Sequence, residues 1–167
     1  MNPLKKLAGQ TAIYGVSSVI GRLLNYLLVP LYTRYFLPSE YGVVTEIYAY
    51  VAFLIIVLTY GLETAFFRFS KKENNTNIVY STSLISLFFS SSIFILLIFL
   101  SSSSIANYLG YGIESRYIKW FAIILGMDAI SSISFAKLRE EERAVQFATI
   151  KLVGIFINIV LNCYFIV

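Results

Sequence analysis

Residues 78–100 read IVYSTSLISLFFSSSIFILLIFL, and none of them is charged. They sit inside a longer uncharged interval, Asn74 to Ile113, of 40 positions. A helix needs roughly 20 mostly apolar residues to cross a hydrocarbon core about 30 Å thick. In lipid every backbone polar group must be satisfied within the segment, so such a stretch is read as a membrane-spanning helix. Short clusters of charge divide the rest of the chain into four more stretches of that kind. Two lie upstream, at about 8–36 and 41–69, and two downstream, at about 115–136 and 144–167. The expected fold is all-α: a polytopic membrane helical bundle of five transmembrane helices, forming a single transmembrane domain over 1–167.

Composition excludes the soluble alternatives. Of 167 residues, 58% are apolar and 13% charged, with a mean hydropathy of +0.76. A soluble domain is nearer 45–50% apolar and about 25% charged, so too little polar surface remains here to cover a water-exposed fold. The net charge is +4. Its basic residues stand at the ends of apolar spans, which points to membrane topology and to contact with membrane lipids, and not to nucleic acid. Histidine is absent, which removes the commonest proton shuttle and metal ligand. Cys163 is the one cysteine, so no internal disulfide is available and no metal-ligand spacing surrounds it. No metal, no cofactor and no enzymatic activity is expected. Lys5 and Lys6 precede an apolar run as in a signal peptide, but the run is too long and no small-residue cleavage site follows. It is read as a retained first helix.

The connections have their own signals. Pro30 is expected to bend the end of span one, since proline removes a backbone donor and clashes one turn back. A turn follows at Leu37-Pro38-Ser39, with Ser39 as the cap of the next helix and Glu40 suited to its positive end. Asn74 to Asn77 reads as a polar loop. Ser101 to Ile113 reads as a loop with Asn107, Gly110 and Gly112 as breakers. Lys137 to Arg143 reads as a solvated charged linker, and the four-residue spacing of Lys137 and Glu141 allows a short surface helix.

Basic residues also give a direction. Lys5, Lys6, Arg68, Lys71, Lys72, Lys137, Arg139, Arg143 and Lys151 fall on one set of span ends, nine in all. Arg34, Arg116 and Lys119 fall on the other, three in all. The positive-inside rule then places the N-terminus in the cytoplasm.

Ionisable residues inside the spans are the candidate functional groups, because they are costly in lipid. Arg22 is the sharpest. An arginine near a span centre costs roughly 2.5–3.5 kcal/mol on insertion scales. On a helical wheel Thr11, Tyr14, Ser18, Gly21, Arg22, Asn25 and Tyr32 fall within roughly a 100° arc. Arg22 either pairs with an acid of another span and fixes packing, or stands in a water-filled cavity as the counter-charge of an anionic substrate. Arginine suits the second role because its planar fork binds phosphate oxygens in pairs. Span two places Glu46, Tyr50, Phe53, Tyr60 and Thr64 on one face, with Glu63 near Arg68 as an ion pair at the helix end. Span four carries Asp128 at its centre, and span five aligns Lys151, Gly154, Asn158 and Asn162. The candidate cavity residues are Arg22, Asn25, Tyr14, Ser18, Glu46, Asp128 and Asn158. Span three carries no charge and is expected to face lipid.

Three motifs extend this reading. Arg34-Tyr35-Phe36-Leu37-Pro38-Ser39-Glu40-Tyr41-Gly42 resembles the R-y-l-x-P-x-e-Y-G signature that follows the first helix of bacterial polysaccharide flippases. Gly61-Leu62-Glu63-Thr64-Ala65-Phe66-Phe67-Arg68-Phe69 is similar to the end of their second helix. Leu138-Arg139-Glu140-Glu141-Glu142-Arg143-Ala144 resembles their L-R-x-x-x-R-A linker before the fifth. The family is the Wzx-like polysaccharide exporters of the MATE-like flippase superfamily. The resemblance implies two pseudo-symmetric lobes in a protein of about 12 to 14 helices. Five spans against six for one lobe imply an incomplete N-terminal lobe, part of a longer chain. It further implies translocation of an undecaprenyl-pyrophosphate-linked oligosaccharide across the bacterial inner membrane, with other polysaccharide assembly proteins as partners. Arg22 matches the position of first-helix arginines in a cationic cavity. Within the same superfamily the alternative is a multidrug or cation antiporter, with Glu46 and Asp128 as coupling acids.

Overall fold

A computed structural model of the chain describes residues 3–73, 75–110 and 115–166. Among the described residues seven helices follow one another: α1 Pro3–Leu27, α2 Val29–Tyr35, α3 Pro38–Thr59, α4 Leu62–Glu73, α5 Thr76–Leu109, α6 Ser115–Glu140 and α7 Ala144–Ile166. Five stretches are long and apolar enough to cross a membrane: Gly9–Tyr35, Tyr41–Lys72, Thr76–Leu109, Ser115–Glu140 and Ala144–Ile166. The chain is an all-helical membrane protein, with five helical stretches of spanning length among the described residues. Among the described residues there is no strand.

The first two spans are each built from two helices. Span one breaks at Leu28, and Pro30 stands in the first turn of α2, where its missing N–H would have had no partner anyway. Span two breaks at Tyr60 and Gly61, which both take positive φ, 36° and 72°. The hydropathy pattern runs through this break, so the sequence reads one helix where the backbone makes two. The second piece, α4, puts Glu63 in its first turn and Lys71 and Lys72 in its last, an order that suits the helix dipole. The expected Glu63/Arg68 pair is not formed, and Arg68 makes no ion pair with a described residue. Five residues apart on a helix leaves the two side chains about 140° apart.

Three connections also differ from the sequence reading. Ser39 is not the cap of α3, because the helix already includes Pro38, another proline at a helix start. The loop expected from Ser101 is helical to Leu109, and Gly110 ends α5 in the left-handed conformation with φ 67°. Residues 111–113 of that expected loop lie outside the described residues. Serines are no obstacle to a helix in lipid, because their hydroxyls bond back to the preceding turn. Ser102 Oγ donates to the Phe99 carbonyl at 3.0 Å, and Ser92 Oγ to that of Phe88 at 2.7 Å. Asn75 caps α5, its side chain accepting from the Ile78 N–H at 3.4 Å, while Asn74 lies outside the described residues. In the charged linker α6 simply continues to Glu140. The chain then turns at Glu142, φ 57°, and Arg143 pairs with Glu141 at 3.0 Å.

The chain divides into two compact units. The first comprises residues 1–42 and 138–167, the second residues 43–137. In the first unit α1 and α2 lie alongside α7, and the contacts advance together along both. Gln10 Nε2 reaches the Glu142 carbonyl at 3.3 Å, and Tyr14 meets the Phe147 ring edge-on at 5.1 Å. Gly21 faces Ile155, and Tyr32 Oη donates to Asn162 Oδ1 at 2.9 Å. Spans one and five therefore run parallel, as two odd-numbered spans must.

In the second unit α5 runs antiparallel to α6. Lys137 at the end of α6 donates to Asn77 at the start of α5 at 3.1 Å, and Gly126 lies against Ile95. Phe66, Leu87, Ile133 and Ala136 form one buried cluster, and Leu58, Leu125 and Ala129 another. Span three, expected to face lipid, also carries a packed side. Ser83, Leu87 and Ser91 form a buried stripe at four-residue spacing along α5.

Candidate functional site

The structure places the seven candidate residues in different units. Tyr14, Ser18, Arg22 and Asn25 lie on α1, and Asn158 on α7, in the first unit. Glu46 on α3 and Asp128 on α6 belong to the second. The Asn25 side chain lies outside the described residues. Among the others no hydrogen bond or ion pair joins any two of the same unit.

Arg22 is exposed, and within its own unit it has no ion-pair partner among the described residues. Its position on α1 follows from the neighbouring glycine. A Cβ on Gly21 would stand 2.7 Å from Ile155 Cδ1, so the backbone approaches α7 closely at Gly21. Arg22 is one residue, about 100°, off that contact line. Ser18 is half-buried one turn before it. Tyr14 belongs to the packed side of α1: its ring meets Phe147, and its hydroxyl is buried without a hydrogen-bond partner among the described residues.

Phe147 gathers charge as well as packing. Arg139 lies 5.8 Å and Lys151 5.1 Å from its ring centre, a geometry in which the π face stabilises both cations. Lys151, counted from the sequence as a cation at a span end, is thus held by an aromatic ring two turns inside α7. Farther along α7, Asn162 Nδ2 donates to the Asn158 carbonyl at 2.8 Å and to its side-chain oxygen at 3.1 Å. With Tyr32 this makes a three-residue polar chain across the α2–α7 seam.

In the second unit Glu46 accepts a hydrogen bond from Tyr50 Oη at 2.9 Å, which confirms the shared face expected from their four-residue spacing. Glu46 has no cationic partner among the described residues. Asp128 is exposed and makes no hydrogen bond among the described residues. It is next to buried Ala129 and so stands about 100° off the packed face of α6. The sequence reading missed an apolar cavity of about 310 Å³ in this unit, lined by residues of α3, α5 and α6. Its aromatic lining residues are ordinary core residues to any sequence pattern. Among the described residues no three of His, Cys, Asp and Glu stand together as a metal site.

A family model described as "Polysaccharide biosynthesis protein" matches residues 31–166. The match takes in α3 to α7 entire and the five-span architecture fits it, so the chain belongs to the polysaccharide biosynthesis protein family. No curated protein and no solved structure matches it.

Proposed function

We infer that the chain serves surface-polysaccharide synthesis by carrying a lipid-linked oligosaccharide across the bacterial inner membrane. The substrate would be an undecaprenyl-pyrophosphate glycan such as an O-antigen unit of lipopolysaccharide, and the activity that of a flippase, not of an enzyme. Family membership supports the polysaccharide role. The observation that carries the translocation reading is Arg22, a cation well inside span one with no acid beside it among the described residues of its unit. An arginine so placed is costly in lipid unless an anion or water meets it, and a pyrophosphate meets it best through paired oxygens. Asn158, Ser18 and Tyr14 would contribute hydrogen bonds from the same unit, while the N-terminus would face the cytoplasm.

The test is Arg22→Ala, with Arg22→Lys beside it, in cells whose surface polysaccharide depends on this gene. Export should fall to background in the alanine variant while the protein still inserts into the membrane. Lysine should restore part of it, because charge survives and the bidentate fork does not. Full export by inserted Arg22→Ala protein would sink the reading.

A further inference from the structure

Span two opens its backbone at membrane depth. Helix α3 ends at Thr59 and α4 begins afresh at Leu62, so the N–H groups in the first turn of α4 cannot bond within that helix. Tyr60 stands in the break and meets Ser86 hydroxyl to hydroxyl at 2.6 Å. Ser86 lies ten residues past Thr76, the start of α5, or roughly 15 Å along the helix. Open backbone at such a depth persists only where protein buries it or water reaches it. Tyr60 and Gly61 are both exposed, and a Cβ on Gly61 would meet nothing within 4 Å. Open as it is within its unit, the break calls for water.

A cleft of about 290 Å³ leads from this break along α4, from Leu62 to Phe69, with α5 as its other wall. Two kinds of group line it. Phe69 offers an exposed ring, and Thr82, Ser83 and Ser86 bring hydroxyls from α5. The hydroxyls have bonding capacity to spare. Thr82 Oγ1 gives its proton to the Ile78 carbonyl at 3.0 Å and keeps its lone pairs. Tyr60 and Ser86 share one hydrogen bond, so one of their two protons is left to donate. None of the lining residues is charged. Glu63 and Arg68 leave α4 about 110° from the middle of the lining face, and Lys72 follows Phe69 at the far end of the helix.

We propose that this cleft holds one neutral sugar unit of the lipid-linked oligosaccharide. The C–H face of the sugar ring would lie on Phe69, with its hydroxyls on Thr82 and on the Tyr60–Ser86 pair. The inference rests on the oligosaccharide reading and adds to it a place for the glycan. A sugar fits because each of its hydroxyls both donates and accepts while its ring faces are apolar, which matches a wall of one aromatic ring and several hydroxyls. A hydrocarbon chain would leave the open backbone in lipid without partners. A charged ligand would find no counter-charge on the wall. The volume lies at the small end of ligand pockets, roughly 300–1,000 Å³, which suits one sugar unit and not a whole glycan. The cleft lies wholly in the second unit and Arg22 in the first.

The test compares two lipids on the purified full chain in phosphatidylcholine nanodiscs. One is undecaprenyl pyrophosphate, and the other is the lipid-linked oligosaccharide extracted from the cells that carry this gene. The glycosylated lipid should bind at least tenfold more tightly. Thr82→Val and Phe69→Leu should each cut that advantage to about threefold or less, with undecaprenyl pyrophosphate binding and circular dichroism unchanged. Arg22→Ala should weaken both lipids alike. A second measurement reads water directly. Thr82→Cys, in Cys163→Ser protein, should react with a charged methanethiosulfonate in nanodiscs at a rate within about tenfold of that in denaturing detergent. Equal binding of the two lipids would overturn the sugar site and leave the pyrophosphate at Arg22 standing. So would a glycan advantage that survives either variant, or labelling of Thr82→Cys in denaturing detergent alone. No binding of either lipid would sink the oligosaccharide reading and this site with it.

Discussion

The two units are held together by different contacts. In the first, α1 and α2 meet α7 through a glycine, an edge-on aromatic pair and a tyrosine–asparagine hydrogen bond. In the second, α3 to α6 close over two apolar clusters that include Ala129 and Ala136 of α6. Lipid tails are as apolar as leucine, so neither seam gains from removing apolar surface from water. What remains is close packing and a few interhelical hydrogen bonds. Both units draw on both: the first bonds Gln10 to Glu142 and Tyr32 to Asn162, the second Tyr60 to Ser86, Tyr80 to Ser134 and Lys137 to Asn77. The first unit carries Arg22 and Asn158, and the second, with its two apolar clusters, carries the apolar cavity.

Truncating a fully packed residue of the second unit should break the contrast most. Leu87 has no exposed surface and touches Phe66, Ile133 and Ala136 within one cluster. Leu87→Ala should cost about 2–4 kcal/mol, counting the cavity it leaves, read as a loss of stability to denaturing detergent in bicelles. A loss below the scatter of such measurements would show that lipid fills the gap and that the cluster is not close-packed. The first unit is more sensitive to added bulk. Gly21→Ala asks only that the flexible end of Ile155 move, whereas Gly21→Leu must push α1 away from α7. About 1–3 kcal/mol of destabilisation is expected for the leucine, with little change for the alanine. Equal tolerance of both would show that α1 does not approach α7 closely.

Much of this was legible in the sequence, for reasons particular residues make clear. The five spans follow from length and apolar content alone, and the charge clusters at Lys71-Lys72 and Lys137–Arg143 divide them. The Glu46–Tyr50 bond follows from four-residue spacing on one helix. The extension of α5 through Ser101–Leu109 did not, because serine signals a loop in water, while in lipid its hydroxyl bonds its own helix. The break at Tyr60–Gly61 was half-visible. Gly61 interrupts a helical pattern, but an isolated glycine does not say whether the helix bends or ends. The apolar cavity was invisible, because Tyr50, Phe94 and Phe121 come together only when three helices pack.

The smallest expected effect tests the polar half of the comparison. Tyr32 is held by its hydroxyl to Asn162, and Asn162 in turn bonds Asn158 one turn back. Tyr32→Phe removes the interhelical bond and keeps the ring between Phe36 and Tyr41, 6.3 and 6.2 Å away. Interhelical hydrogen bonds in membranes average about 0.6 kcal/mol, so stability should fall by roughly that amount. Asn162→Leu should cost no more, because it removes the acceptor while the apolar contact grows. If Tyr32→Phe were neutral and Asn162→Leu stabilising, the seam would be held by packing alone. A loss in both variants, with export reduced in Asn162→Leu alone, would separate the bond's structural part from a role of the Asn158–Asn162 pair in meeting sugar hydroxyls.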